Sequence, residues 1–369
     1  MLDNGRISSV QLLLLLFMME VSTAAIYVPA KVAEVAGPDS WFSVSAVTFF
    51  YGLIVAGVAL ALAKRFPGQV FTEYLPEVIG TVPGKLLAAA YVMFFINVAF
   101  TTLNEISGFF HIAFMGNTPL AVFDIVEAIV GIYGAYLGIE VIARANGLFL
   151  PVWMLAGVLV LALVAKDINF TNLRPAFENG ILPALKGGYF HSPWQGKVFI
   201  LLMLFPYLSQ KHEAFKAVLS QQVANSVFAG ATMLVTLGVF GDLVTAHLIF
   251  PYDALDRYIS LGGFIENLDI LIVVVWASGA LVKLALLCHS VGIAAASTLG
   301  LKRYRLTLIP IAVATVILSR VTHGTYLQLI TFIFGPWPIY AAIMELVIPT
   351  AILLIAVIRK KGNKAVAVQ

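Results

Sequence analysis

Two polar interruptions within apolar segments are the places where this chain could do chemistry. The first is Val21-Ser22-Thr23-Ala24-Ala25, and the second is Phe190-His191-Ser192-Pro193-Trp194-Gln195-Gly196. Each falls where a membrane-spanning helix is expected to cross the bilayer. Hydrocarbon offers no hydrogen-bond partner, so a span with an unwound centre is stable only where protein or a watery cavity satisfies its backbone. Corresponding interruptions in two halves of a chain point to a small-solute site at the midplane.

Freed backbone groups at these interruptions suit a zwitterion. The first helix is expected to resume near Thr23, so that its N–H groups attract a carboxylate. The sixth helix is expected to stop near Phe190, which leaves carbonyls that accept from an ammonium group. The alternative is a kinked helix whose Ser and Thr side chains bond their own backbone. The predicted site for a small amino acid-like solute comprises Val21, Ser22, Thr23, Ala24, Ala25, Ser192, Pro193, Trp194, Gln195 and Gly196.

Charged residues at membrane depth form a second group of candidates. A charge at the bilayer centre costs about 3 kcal/mol on insertion scales, so each needs a partner or a watery face. Lys283 lies deep in an apolar span, and a desolvated lysine can exchange a proton. The alternatives are a static pair of Lys283 with Glu20 or Glu105, and of Lys197 with Glu20. The predicted coupling or buried charges are Glu20, Glu105, Lys197 and Lys283, whereas for Glu127 and Glu345 structural pairing is expected.

Composition places these residues in a membrane protein. Of 369 residues, 61% are apolar and 11% charged, and the mean hydropathy is +0.97. An ordinary soluble domain has roughly 25% charged residues. The net charge of +3 comes from basic residues beside helix ends, so nucleic acid is not an expected partner. The lone Cys288 excludes an intrachain disulfide, the histidines lack metal-ligand spacing, and enzyme motifs are absent. We expect no catalysis, no cofactor and no metal.

Hydropathy divides the chain into ten predicted spans of about the length that a bilayer requires. Residues 1–165 and 166–358 then form two five-helix halves of a single transmembrane domain, and 359–369 form a tail. Each half opens with an interrupted helix, which is the layout of an inverted repeat. The predicted spans are 7–34, 41–64, 84–114, 119–138, 146–165, 177–209 (interrupted), 215–241, 267–298, 305–320 and 327–358.

Basic residues predict the orientation. With the N-terminus inside, the cytoplasmic segments hold fourteen Lys and Arg residues and the outside segments hold six, which favours both termini in the cytoplasm. Two connections are long. Residues 64–84 are rich in Pro and Gly and indicate a cytoplasmic elbow, and residues 252–261 predict a short helix across the outer mouth.

Several segments, in order along the chain, resemble the spore germination permease family, the membrane-embedded B subunits of nutrient-germinant receptors in endospore-forming bacteria. The longest runs from Phe250-Pro251-Tyr252 through Arg257 to Asp269 and continues to Trp276 and Lys283. The others are Ile7 to Gln11, Gly138 to Arg144, Leu173-Arg174-Pro175 and Glu178-Asn179-Gly180. Two positions depart from the family pattern. Ser22 replaces a glycine, and Lys197 stands where an acid is common.

This resemblance implies an all-α integral membrane protein of the amino acid/polyamine/organocation superfamily. The implied fold has ten transmembrane helices in two inverted repeats with helices 1 and 6 broken, as in LeuT-like proteins. The resemblance places the eighth span beside helix 1, so we expect Lys283 to contact helix 1. It also implies a receptor subunit in the spore inner membrane, with an A subunit and a lipoprotein C subunit as partners. The alternative is a proton-coupled amino acid transporter that works by alternating access.

Overall fold

The computed structural model describes residues 3–259 and 268–362, and in these ranges the chain is helical. The exception is an isolated parallel bridge between Ile7 and Leu208. In the first half the helices are α1 (Ser9–Ala36), α2 (Ser40–Phe42), α3 (Thr48–Arg65), α4 (Phe71–Ile79), α5 (Thr81–Ala113), α6 (Leu120–Leu137) and α7 (Ile139–Val164), with a π-helical turn over Ser43–Val47.

The second half opens with a segment that changes helix type. α8 (Leu182–Gln195) passes into a 3₁₀ turn (Gly196–Ile200), then α9 (Leu201–Leu204) and a second 3₁₀ turn (Phe205–Tyr207). The remaining elements are α10 (Ala214–His247), α11 (Pro251–Tyr258), α12 (Leu268–Leu299), α13 (Arg305–Thr322), α14 (Tyr326–Phe334), α15 (Trp337–Ala342), a π-helical turn (Ile343–Val347) and α16 (Ile348–Ile358).

The chain is an integral membrane protein. Eight helical stretches within the described residues are long and apolar enough to cross a bilayer. The first of them, Ser9–Arg65, has 57 residues and turns at Gly37, where φ is 55°, so it has the length of two crossings. The predicted sixth span corresponds to α8, α9 and their 3₁₀ turns. The count of ten crossings stays a prediction.

The predicted interruption of helix 1 is wrong. α1 is a continuous α-helix through Val21 to Ala25. Alanine favours the helix, and the segment has neither Gly nor Pro. The backbone N–H groups at Ser22 and Thr23 are therefore not free to hold a carboxylate. The first departure from the helical pattern is Pro29, which has no N–H to offer the carbonyl of Ala25.

The interruption of the sixth span is confirmed as a change of helix type, but its position differs. α8 continues past Phe190 and ends at Gln195, where the 3₁₀ turn begins. Pro193 cannot donate to the carbonyl of Tyr189, and the hydroxyl of Ser192 donates to that carbonyl instead at 2.8 Å. A free carbonyl subsite near Phe190 is thus not formed.

Each of the two long connections contains a short helix. The elbow over 64–84 contains α4, which packs against α5. The short helix predicted over 252–261 is confirmed as α11, while residues 260–267 and 363–369 lie outside the described ranges. The predicted tail is therefore described only over 359–362.

The N-terminal segment joins the two halves at one face of the bundle. The N–H of Ile7 donates to the carbonyl of Tyr207, and its carbonyl accepts from the N–H of Ser209, both at 3.0 Å. Asp3 lies 2.8 Å from Nε2 of His289 and accepts from the N–H of Ile139 at the start of α7. Burial raises the pKa of the Asp3 carboxyl, but these hydrogen bonds outweigh it and hold the pKa below its usual range.

Close packing of α4 on α5 gives a test of the fold at Gly84. A Cβ atom at this position would lie 2.5 Å from the backbone nitrogen of Pro76 and 2.7 Å from the carbonyl carbon of Leu75. We expect Gly84→Ala to lower the free energy of unfolding by about 1–3 kcal/mol, because the backbone of α4 must shift. The measurement is the Tm of the detergent-purified protein.

Gly57→Ala in α3 is the matched control. An added Cβ there meets no atom within 4 Å, and alanine favours a helix, so the Tm should stay the same or rise. Equal Tm losses in the two variants would contradict the packing of α4 against α5.

Candidate functional site

The hydroxyl of Thr23 joins three helices at the centre of the bundle. Its Oγ1 accepts a hydrogen bond from Nε1 of Trp194 in α8 at 3.0 Å and another from Nζ of Lys283 in α12 at 2.6 Å. On the preceding residue, the backbone carbonyl of Ser22 accepts from Nε1 of Trp276 at 2.5 Å. The polar residues of α1 are therefore used in contacts between helices, not in unwinding α1.

Lys283 is completely buried and makes the predicted contact with helix 1. Besides Thr23, its ammonium lies 3.8 Å from Oε2 of Glu105 in α5, a carboxyl that is also buried. The backbone carbonyl of Glu105 accepts from the hydroxyl of Tyr27 at 2.6 Å. α1, α5 and α12 are thus joined through one ion pair and two hydrogen bonds.

A chain of side-chain hydrogen bonds runs from Glu20 in α1 to Gln195 at the end of α8. Oε2 of Glu20 accepts from Nε2 of Gln221 at 3.1 Å and from the side-chain amide of Asn225. Gln221 in turn accepts from Gln222 at 3.0 Å, and Gln222 accepts from the amide of Gln195. The two end residues, Glu20 and Gln195, were predicted from the sequence as site residues, whereas the three amides between them were not. Three amides within five positions of an otherwise apolar span are the signal that could have found them.

A small cavity lies beside α1, next to the Glu20 end of this chain of hydrogen bonds. Its volume is about 40 Å³, which leaves room for about two or three water molecules. Val21, Ala24 and Ala25 line it from α1, and its polar lining includes Glu20, His191 and Asn225. Two buried lining atoms, Nδ1 of His191 and Oδ1 of Asn225, have no hydrogen-bond partner within the described ranges of the chain. A polar ligand or water is the natural partner for both.

The predicted binding residues of the two segments are only partly brought together. Val21, Ala24 and Ala25 line the cavity, whereas Ser22 and Thr23 are engaged with α8 and α12. From α8, the cavity is lined by His191, which was not among the predicted residues. Of those that were, Ser192 bonds its own backbone, Trp194 bonds Thr23, Gln195 ends the amide chain, and Pro193 and Gly196 do not line the cavity.

A larger space lies toward the Ala36 end of α1. This vestibule has a volume of about 400 Å³, and its lining includes Tyr27, Lys31, Phe190, Tyr326 and Phe334. Phe190 contacts Phe334 with ring centroids 6.1 Å apart, and Trp194 contacts Phe334 at 6.2 Å. Phe190 and Phe334 line the vestibule, Trp194 is completely buried, and these three rings together are named the aromatic barrier.

Solved structures of transporters share this arrangement of helices. A nucleobase-cation-symport-1 family transporter, MHP1, in a closed conformation with bromovinylhydantoin bound, matches with a TM-score of 0.67 at 16% identity over 92% of this chain and 78% of that chain. MhsT in complex with L-phenylalanine matches with a TM-score of 0.68 at 15% identity over 96% and 90%. The fold is therefore that of the LeuT-like transporters.

Sequence comparison then identifies the family. Residues 6–326 match the family described as "Spore germination protein", and the chain belongs to that family. Spore germination protein KB of Bacillus subtilis (strain 168) is 23% identical over 368 residues, which cover 98% of both chains. Spore germination protein XB of Bacillus anthracis is 28% identical over 254 residues, or 68% of this chain and 70% of that protein. The resemblance inferred from the sequence is confirmed.

The double acceptor role of Thr23 gives a second prediction. Thr23→Val keeps the shape of the side chain but leaves the indole N–H of Trp194 and the ammonium of Lys283 without their acceptor. We expect a loss of about 1–3 kcal/mol in the free energy of unfolding for each unpaired donor. The measurement is the Tm of the purified protein.

Thr23→Ser is the control, because it keeps the oxygen, and its Tm should lie much nearer to that of the wild type. A valine variant as stable as the serine variant would show that the hydroxyl does not hold these helices together.

Proposed function

We propose that this chain is the membrane subunit of a spore nutrient-germinant receptor. It binds a small amino acid-like nutrient without converting it, and it passes the binding event to partner subunits. The observation that carries this proposal is the cavity beside α1, in which a carboxyl and two unpaired polar atoms face small apolar side chains. Membership of the spore germination protein family supports the biological setting.

The ligand class follows from the lining of the cavity. Because α1 is continuous and offers no free helix end, side chains have to hold the charged groups of the ligand. The carboxyl of Glu20 and the free Oδ1 of Asn225 are acceptors suited to an ammonium group, and Nδ1 of His191 lies beside them. Val21, Ala24 and Ala25 leave space only for a small apolar side chain. A small amino acid fits this combination of groups.

Binding of the ligand also produces a signal, because it requires a change of conformation. A volume of about 40 Å³ is smaller than a ligand of this class requires, so the bound state must differ from the conformation described here. Entry from the vestibule requires the rings of Phe190, Phe334 and Trp194 to separate. A ligand that binds only the opened arrangement shifts the equilibrium toward it, and this is sufficient for a receptor.

The setting of the receptor is part of the same proposal. The asymmetry of Lys and Arg supports both termini in the cytoplasm. Family membership supports the spore inner membrane as the location, and an A subunit and a lipoprotein C subunit as partners. The signal would pass to them through helices that move with α8.

Filling the cavity tests the site. We expect Ala24→Leu to lower affinity for the bound nutrient at least tenfold, because the larger side chain occupies the ligand volume. The measurement is equilibrium binding of a panel of labelled small amino acids to purified protein in liposomes, with uptake followed in parallel. Uptake of the label against its gradient would instead identify a transporter.

Ala61→Leu is the matched control, since Ala61 lies on the exposed face of α3. It should bind like the wild type. Unchanged affinity in Ala24→Leu would place the ligand elsewhere.

The pair of Lys283 and Glu105 gives a further test. We expect Lys283→Met to destabilise the protein by about 3–5 kcal/mol, because Glu105 is left as an unpaired buried charge. Adding Glu105→Gln removes that charge, and the double variant should recover most of the Tm.

If the ion pair transmits the signal, spores that carry the double variant in place of their own receptor subunit will not respond to the nutrient. A normal germination response of these spores would show that the pair is only structural.

A further inference from the structure

We propose that Glu345 is a proton-binding site that controls the 3₁₀ segment at the end of α8. Its regulatory role rests on the proposed function, but its protonation does not. Glu345 lies in the π-helical turn Ile343–Val347 and is 1% exposed. Single π-helical turns inside α-helices are frequent at functional sites.

The carboxyl of Glu345 lies directly against the point where α8 changes to a 3₁₀ helix. A Cβ atom at Gly196 would collide with Oε2 of Glu345, so this position admits only glycine while the carboxyl stays in place. The same Cβ atom would lie 3.2 Å from the ring of Tyr51 in α3. The π-helical turn at Glu345 therefore contacts the 3₁₀ turn through an ionisable group.

One oxygen of the Glu345 carboxyl is left without a donor. Among the residues that the structure describes, neither the buried Oε2 of Glu345 nor the hydroxyl of Tyr51 has a hydrogen-bond partner. The ionisable groups that face Glu345 are Lys197 from the 3₁₀ turn, Tyr51 from α3 and Tyr91 from α5. The hydroxyl of Tyr91 already donates a hydrogen bond to the backbone carbonyl of Met344 at 2.7 Å.

The buried carboxyls near the 3₁₀ turn differ in their partners. Three carboxyls (Glu20, Glu105 and Glu345) and two lysines (Lys197 and Lys283) are buried in this part of the bundle. Glu20 accepts two amide hydrogen bonds, and Glu105 lies 3.8 Å from Lys283.

Lys197 is not within ion-pair distance of a carboxyl in the part of the chain that the structure describes. Its ammonium lies over the ring of Trp194, 5.2 Å from the centroid. A buried carboxylate without donors is unfavourable, and a proton on Glu345 removes its charge.

Release of this proton would affect the ligand site through a movement of Lys197. When the O–H bond of the carboxyl breaks and the proton leaves to water, a negative charge forms beside the 3₁₀ turn. The ammonium of Lys197 is then drawn from the ring of Trp194 toward Glu345. Trp194 belongs to the aromatic barrier and donates a hydrogen bond to Thr23. Loss of its contact with Lys197 therefore favours opening of the barrier.

The test uses the full-length protein in nanodiscs without any nutrient, so that its result is independent of ligand binding. Glu345→Gln is neutral and has the shape of the protonated acid. The Tm of this variant at neutral pH should equal or exceed that of the wild type. Its infrared spectrum should lose carbonyl-stretch intensity that the wild type shows from a protonated carboxyl.

Glu20→Gln is the matched control, because it removes a carboxyl that accepts hydrogen bonds in the same part of the bundle. It should lower the Tm and leave the intensity from the protonated carboxyl in place. A lowered Tm in Glu345→Gln together with an unchanged infrared band would overturn the proposal, because Glu345 would then be the ionised partner of Lys197.

Discussion

A polar group at the depth of the hydrocarbon must find its partner inside the protein, and this constraint shapes the centre of the structure. The oxygen of Thr23 is the clearest case, since it receives donors from two other helices. One hydroxyl thereby fixes the distance between α1 and its neighbours on both sides. A ligand that enters between these helices and separates them has to offer hydrogen bonds to the same groups in place of those that it breaks.

The same constraint explains why helix 1 does not unwind. From the sequence, Ser22 and Thr23 indicate a broken helix, because polar residues are rare at this depth. In the structure the hydroxyl of Thr23 accepts from Trp194 and Lys283, the backbone carbonyl of Ser22 accepts from Trp276, and α1 stays helical through both residues. Sequence alone cannot separate a polar residue that breaks its helix from one that binds another helix, because the difference lies in residues more than 170 positions away.

Other elements could be predicted because their signals are local. Pro119 and Gly138 flank α6, and its predicted bounds of 119–138 differ from Leu120–Leu137 by one residue at each end. α7 begins at Ile139, seven residues before the predicted start of 146, and the additional first turns contain the charged residues Glu140 and Arg144. They pair with each other one helical turn apart on the exposed surface, which makes their charges compatible with the first turns of a helix.

The site itself was predictable at the level of helices but not of side chains. The pairing of the first and sixth spans could be anticipated from their polar interruptions, and the contact between Lys283 and helix 1 from its depth and the resemblance to a family. Gln221, Gln222 and Asn225 were missed because amides carry no charge and fit no motif. Their importance appears only when α10 is placed beside Glu20.

The segment around α8 combines close packing with irregular backbone, which suits an element that moves as a unit. A Cβ atom at Gly188 would lie 2.8 Å from Cβ of Val47 in the first π-helical turn, and Gly196 contacts Glu345 in the second. Both glycines let α8 approach these turns more closely than a larger residue would allow. If α8 moves when the proposed ligand binds, the hydrogen bond from Trp194 to Thr23 is a polar contact with α1 that this movement has to break.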